Sequence, residues 1–306
     1  MLGCAVWVLV PSTGAVLAGH PALLVALVTC ALVGLTVLVL AVLGLLRRRP
    51  PRRRAWRIVL SVLAAPLCLL LAAGVAYLKP FPAAPAALDT LRSSSTVEVF
   101  ERVDRIDLVP LQQGGSTLDT TRGTGLVYYP GARVDARAYA RLLRPLAEAG
   151  FLVVVLKEPF GIALTDIEQA RAALDAYPEI RRWAVGGHSL GGTAAAAFAD
   201  ADDRVGGLLL HAAYPASRLT RERLIVLTVS GDRDGLATPE DIAGAADLLP
   251  STAQRVVVEG AVHAYFGDYG EQPGDGTPTV SREQAQREIA EAGEQLLAIV
   301  QTANAV

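Results

Sequence analysis

The sequence predicts an α/β protein: a mostly parallel, doubly wound sheet preceded by two transmembrane helices, or three if the first apolar run also spans. Three observations predict this. From residue 93 onward, short apolar runs alternate with helical segments, the order expected of a parallel sheet with helices on both faces. Runs such as 151–156 are continuously apolar, the mark of strands covered on both sides. The first 79 residues are apolar and free of acid, with no Asp or Glu before Asp89.

The composition supports this division. The chain has 306 residues, 52% hydrophobic and 19% charged, with a mean hydropathy of +0.38. That is too apolar for a soluble domain of this length, so part of the chain belongs in lipid. The charge is also uneven. Seven arginines fall within residues 47–57, leaving 21 Lys and Arg against 30 Asp and Glu elsewhere, a balance of −9. A basic nucleic-acid-binding domain is excluded, because binding phosphate needs a surplus of cations. Disorder is excluded by the long apolar runs.

Residues 21–46 carry no charge. At 1.5 Å per residue they reach about 39 Å, enough for a tilted span of a ~30 Å hydrocarbon core. A second apolar run covers 58–78, with Pro66 inside it. The Arg-rich stretch 47–57 between them is placed in the cytoplasm by the positive-inside rule. The expected organisation is therefore a membrane region 1–79, a Pro/Ala linker 80–92 and an extracytoplasmic domain 93–306. The bilayer is its first partner. Met1–Gly19 is a shorter candidate span, weakened by Pro11 and Gly14. A cleaved signal peptide fits less well, since the first run lacks a charged n-region. Cys4, Cys30 and Cys68 all lie in the apolar segments and read as small filler. The domain beyond has no Cys, so it needs no disulfides and holds no thiolate site.

Within the domain, 97–103 and 105–111 alternate imperfectly and read as a hairpin. Residues 114–124 read as a loop and 126–129 as a strand ended by Pro130-Gly131. Residues 136–149 have helical spacing, with Asp135 as N-cap, Gly150 after the C-cap and a kink expected at Pro145. Strand 151–156 and helix 166–176 follow. Strand 183–185 leads into Gly186-Gly187-His188-Ser189-Leu190-Gly191-Gly192, and 193–199 continues as a helix of small residues. Strands are expected at 205–210, 224–229 and 255–258, and helices at 239–249 and 282–301.

In such sheets, ligands bind beyond the carboxyl ends of the strands. Four strand ends are therefore the places to search: after residues 129, 185, 229 and 258. After 185 stands Gly187-His188-Ser189-Leu190-Gly191, a G-x-S-x-G between a strand and a helix. The tight turn needs glycines on both sides and lifts the Ser hydroxyl above the sheet. A phosphate loop is excluded, because it requires a Lys that this segment lacks. Serine is a poor nucleophile until a neutral His takes its proton. Of His188, His211 and His263, the chain order Ser, acid, His selects His263, after the last strand. The acid that orients its ring should follow strand 224–229, where Asp232 and Asp234 both stand. Two backbone N–H groups must meet the oxyanion. They are Leu190, just after the nucleophile, and Ala132, on the loop after 126–129.

With these residues assembled, the chain resembles the α/β-hydrolase superfamily, in its small dienelactone-hydrolase-like branch. The resemblance rests on Tyr129-Pro130-Gly131, 186–192, 231–234 and 260–266. It implies the α/β-hydrolase fold and a Ser189, Asp234, His263 triad, Asp234 matching the Gly-x-x-Asp spacing common in that family. Pro130-Gly131 replaces the His-Gly that many lipases carry before the oxyanion loop. Only 14 positions separate Leu210 from Leu224, which leaves no room for a lid domain. Phe160, Tyr214, Tyr265 and Phe266 lie near strand ends and are candidates for the walls of an open site. The glycine-rich stretch 267–276 holds three acids and fits no EF-hand, so it reads as a solvated loop. The reading is a membrane-tethered serine hydrolase of small ester or acyl substrates that needs no cofactor and no metal. The alternatives are acyl transfer through the same triad, and a silent binding domain on this fold.

Overall fold

The computed structural model describes residues 1–46, 51–112 and 123–303. It divides into two compact units, Met1–Pro80 and Phe81–Val306.

The first unit is three helices: α1 (Leu2–Ala18), α2 (Pro21–Leu46) and α3 (Pro51–Tyr77). Val8, Leu27, Cys30 and Val75 are among the residues that join them in one apolar cluster. Among the described residues one helical stretch is long and apolar enough to cross a membrane, Pro21–Leu43. A signal sequence shares this length and composition. Of the two or three expected spans, one is supported among the described residues. The 17 residues of α1 reach only about 26 Å. Pro11 removes a hydrogen bond there, and Ser12 leaves the helical region at φ −124°. Among the described residues α3 contributes the apolar stretch Ala64–Tyr77. Of the Arg-rich stretch, 47–50 lie outside the described residues, and 51–57 are the opening turns of α3, with Pro51 at its first position.

In the second unit the Pro/Ala segment is not a free spacer. Phe81 donates its N–H to Arg133 O at 2.8 Å and accepts from Asp135 N–H at 3.0 Å. A short helix α4 (Pro85–Asp89) follows, started by Pro85. The sheet has eight strands in the order β1-β2-β4-β3-β5-β6-β7-β8. The antiparallel edge is the expected hairpin, β1 (Val97–Glu101) and β2 (Arg105–Pro110), with β2 also antiparallel to β4 (Leu152–Leu156). The rest is parallel: β4, β3 (Thr124–Tyr129), β5 (Arg182–His188), β6 (Val205–His211), β7 (Ile225–Gly231) and β8 (Gln254–Val258). Nearly all of the expected loop 114–124 lies outside the described residues, and its last residue, Thr124, opens β3.

The helices are α5 (Ala140–Glu148), α6 (Gln169–Ala176), α7 (Leu190–Ala201), α8 (Pro239–Gly244) and α9 (Arg282–Thr302). Strand periodicity splits the core in two. Leu126, Tyr128, Val153 and Leu209 face α5 and α9. Val127, Tyr129, Val154 and Leu208 face α6 and α7. Phe198 of α7 is fully buried there, and truncating it to Ala should cost about 3–5 kcal/mol.

Two helices differ from expectation. Residues 136–139 form a 3-10 turn, capped by Asp135 accepting the Arg137 N–H, and the α-helix starts at Ala140. The change of winding thus precedes Pro145 by a turn. Residues 239–249 break after Gly244 into a 3-10 turn, Ala246–Leu248.

Candidate active site

β5 runs three residues past its expected end, through Gly186 and Gly187 to His188. The glycines are there because nothing larger fits. A Cβ on Gly186 would lie 2.8 Å from the Leu209 side chain, and one on Gly191 would lie 2.2 Å from the Pro130 carbonyl oxygen. The chain then reverses through Ser189 at φ 52°, ψ −125°, and α7 begins at Leu190. Positive φ on a residue with a Cβ is strain of about 1–3 kcal/mol, and it clusters at functional sites. Two bonds hold the turn: Ser189 N–H donates to His211 O at 3.0 Å, and Ser189 O accepts the Gly192 N–H at 2.9 Å.

Asp234 follows β7 and His263 follows β8, and the structure brings them together. His263 Nδ1 lies 2.8 Å from Asp234 Oδ2, with both side chains almost wholly buried. Asp234 Oδ1 accepts the N–H groups of Leu236 and Ala237, each at 2.8 Å. A carboxylate oxygen accepts, so His263 Nδ1 is the donor and its Nε2 is left to accept a proton. Asp232 does something else. Its Oδ1 accepts the Gly260 N–H at 2.5 Å and ties the ends of β7 and β8 together. The two acids that follow β7 thus have different partners, and Asp234, the one favoured by its spacing, is the one at His263.

Ser189 Oγ makes no hydrogen bond among the described residues, and neither does His263 Nε2. Catalytic hydrogen bonds are commonly loose before substrate binds. Leu190 N–H, at the start of α7, has no acceptor among the described residues either. On the loop after β3, Gly131 N–H donates to Tyr139 Oη at 2.8 Å, Arg133 N–H to Gly161 O at 2.6 Å and Val134 N–H to Gly131 O at 3.0 Å. That leaves Ala132 N–H as the one on 131–134 without an acceptor among the described residues.

The other two histidines sit behind the site. Tyr139 Oη, already accepting from Gly131, lies 2.9 Å from His188 Nδ1 and donates to it. The His188 ring lies 4.4 Å from that of His263 and stacks on Phe266 at 14°. Tyr128 Oη meets His211 Nδ1 at 2.8 Å. Burial, then the neighbouring His263 and His211, hold His188 far below the usual imidazole range, and burial pushes His211 down to about 3. Both are neutral at pH 7 and are not proton carriers there. Of the candidate wall residues, Phe266 is core and Tyr214 is exposed. The roles of Tyr139 and His188 were not read from the sequence, since a buried Tyr at helical spacing looks like any core residue.

A family model described as the alpha/beta hydrolase family matches residues 125–287, more than half of the chain. The chain belongs to that family. This hydrolase is similar to solved structures at low identity. TT1662 from Thermus thermophilus is 15% identical over 68% of this chain and 99% of the other, with a TM-score of 0.50. A thermostable esterase from Pseudomonas putida is 17% identical over 71% of this chain and 88% of the other, with a TM-score of 0.49. A Pyrobaculum calidifontis esterase is 16% identical over 71% and 88%, with a TM-score of 0.49. At such identities the likeness is one of fold. No curated protein matches the hydrolase by sequence.

Proposed function

We propose that this hydrolase cleaves esters or related acyl compounds through an acyl-enzyme on Ser189. The observation that carries the reading is the buried 2.8 Å contact of His263 Nδ1 with Asp234 Oδ2, with the His263 ring 4.4 Å from that of His188, the neighbour of a serine held at positive φ where β5 turns into α7. Ser189 Oγ attacks the carbonyl carbon while His263 Nε2 takes its proton. The oxyanion is met by the N–H groups of Leu190 and Ala132. His263 returns the proton to the leaving alcohol, and Asp234 stabilises the imidazolium that forms between the two steps. Water, deprotonated by the same His263, then releases the acid and restores Ser189.

The substrate class follows from the mouth of the site. Residues 212–224, between β6 and β7, contain no helix, so no lid domain covers it, as in the dienelactone-hydrolase-like branch. Leu164, Tyr214 and Leu236, on the segments that leave β4, β6 and β7 at this end, are exposed. An open, partly apolar mouth suits a small acyl group. In this reading 1–79 anchors the protein, with α2 and then α3 crossing the bilayer, 80–92 joins it to the domain, and 93–306 works outside the cytoplasm. The apolar stretch Pro21–Leu43 and the arginines after it support the anchor.

The test uses the full-length chain in mild detergent with p-nitrophenyl esters of short to long acyl groups. Turnover is expected for the shorter esters and lost in Ser189→Ala; equal turnover by that variant would sink the mechanism. With added alcohol, the free acid should remain the main product. A new ester as main product would make the protein an acyltransferase. Glu271→Cys should react with a membrane-impermeant maleimide in intact cells; protection until lysis would contradict the orientation.

A further inference from the structure

The glycine-rich stretch 267–276 reads in the sequence as a solvated loop, yet two of its acids are engaged: Asp268 is buried beside Arg141 and Arg282, and Asp275 binds backbone N–H groups. Asp275 Oδ1 accepts the His263 N–H at 3.0 Å and the Gly235 N–H at 3.2 Å, and Oδ2 accepts the Ala264 N–H at 2.8 Å. Oδ1 also takes the N–H of the next residue, Gly276, at 2.7 Å. One carboxylate therefore binds the backbone of the segment carrying His263 and the backbone of the segment carrying Asp234. Bonds from backbone N–H to a charged oxygen are stronger than neutral ones.

The loop is shaped to bring that carboxylate in. Gly274, at φ 90°, turns the chain. Gly276 lies against Arg233, where a Cβ would fall 1.8 Å from the carbonyl oxygen, and a Cβ on Gly235 would meet Gly274 O at 2.7 Å. Two glycines thus let the loop and the Asp234 segment touch backbone to backbone.

We infer that Asp275 is a positioning residue of this hydrolase: its carboxylate clamps the Gly235 and His263 backbones and so fixes the Asp234–His263 hydrogen bond. The inference rests on the triad reading of the same site. Asp275 touches no reacting atom and acts through the place it gives His263. A displacement of about 1 Å in a catalytic group can cost roughly 10²-fold in rate. Substrate binding at the mouth does not use this carboxylate, so the loss should fall on kcat.

The test reads geometry and rate separately, on the full-length chain in detergent. In the parent protein the proton on His263 Nδ1 should give a sharp downfield proton resonance. Asp275→Ala should broaden or shift it, lower kcat on a short p-nitrophenyl ester about 100-fold and leave KM within about threefold. Asp275→Asn keeps an acceptor for His263 and Gly235 and loses the one for Ala264, so about a tenfold loss is expected. An unchanged resonance and kcat in folded Asp275→Ala would overturn the inference while leaving the triad standing. A normal resonance in a protein with no esterase activity would sink the ester reading and leave the clamp standing. A measurement without variants decides the case where both variants fail to fold. In the parent protein the amides of Gly235, His263 and Ala264 should exchange together and slowly, and fast exchange of Gly235 alone overturns the bridge.

Discussion

Replacing Asp234 by Asn separates orientation from packing. The Asn side chain keeps Oδ1, which accepts the Leu236 and Ala237 N–H groups at 2.8 Å each. Its amide nitrogen takes the place of Oδ2, 2.8 Å from His263 Nδ1. Two donors then face each other, so His263 must move its proton to Nε2, where it can no longer accept one from Ser189. The same swap in a serine protease costs about 10⁴ in kcat, equivalent to about 5.5 kcal/mol at 1.36 kcal/mol per tenfold. Stability should suffer far less. Two backbone N–H bonds pass from a charged to a neutral oxygen, at about 0.5–1 kcal/mol each, for a total of about 1–2 kcal/mol. Asp234→Ala should differ in kind: two buried N–H groups lose their acceptor, at about 1–3 kcal/mol each. The assay is urea unfolding beside p-nitrophenyl ester turnover. Asp234→Asn that retains activity within tenfold of the parent would refute the tautomer argument, whatever its stability.

Three further outcomes are expected. His211, with a folded pKa of about 3 against an unfolded value near 6.5, takes up its proton in the unfolded chain first. Stability should therefore be full above about pH 6.5 and fall as the pH drops toward 3, by about 1.4 kcal/mol per unit, or about 2 kcal/mol at pH 5. His188 adds loss in the same direction, and urea midpoints at pH 7.5 and 5, with His211→Gln as the flatter control, measure the slope. Ser189→Gly should abolish turnover yet raise stability by about 1 kcal/mol, because glycine tolerates φ 52°; a lower melting temperature would contradict the strain. Tyr139→Phe strands Gly131 N–H and His188 Nδ1, which should cost about 2–4 kcal/mol and lower kcat/KM about tenfold as the oxyanion loop loosens. No effect on either would show that the loop is held elsewhere.

The centre of the sheet was legible because its strands are covered on both faces and so stay apolar, as 152–156 and 205–210 do. Their ends were less so. β5 reads as stopping at Val185 because glycines look like a loop, whereas Gly186 and Gly187 extend the strand where neighbouring chains come too close for a side chain. The start of helix 136–149 was legible from Asp135, but its 3-10 opening was not. Ser189 and His263 could be chosen from spacing and chain order. The Gly-x-x-Asp spacing favoured Asp234 over Asp232, and the hydrogen bonds give the two acids different partners, His263 for Asp234 and the Gly260 N–H for Asp232. Tyr139, His188 and Asp275 stayed hidden for one physical reason. Their effect comes from partners distant in sequence, 49 positions apart for Tyr139 and His188. The Pro/Ala segment misled in the other direction. Its composition reads as a spacer, but Phe81 pairs with the backbone around Val134.

The central claim is that Ser189 is a nucleophile activated by His263. Labelling the folded, full-length chain with a fluorophosphonate and locating the adduct by peptide mass spectrometry tests it most directly. The account predicts one adduct, on Ser189, formed quickly in the parent, absent in Ser189→Ala and slowed at least 100-fold in His263→Ala. A folded protein that takes up no label, or takes it up on another residue at the parent rate, would contradict the account.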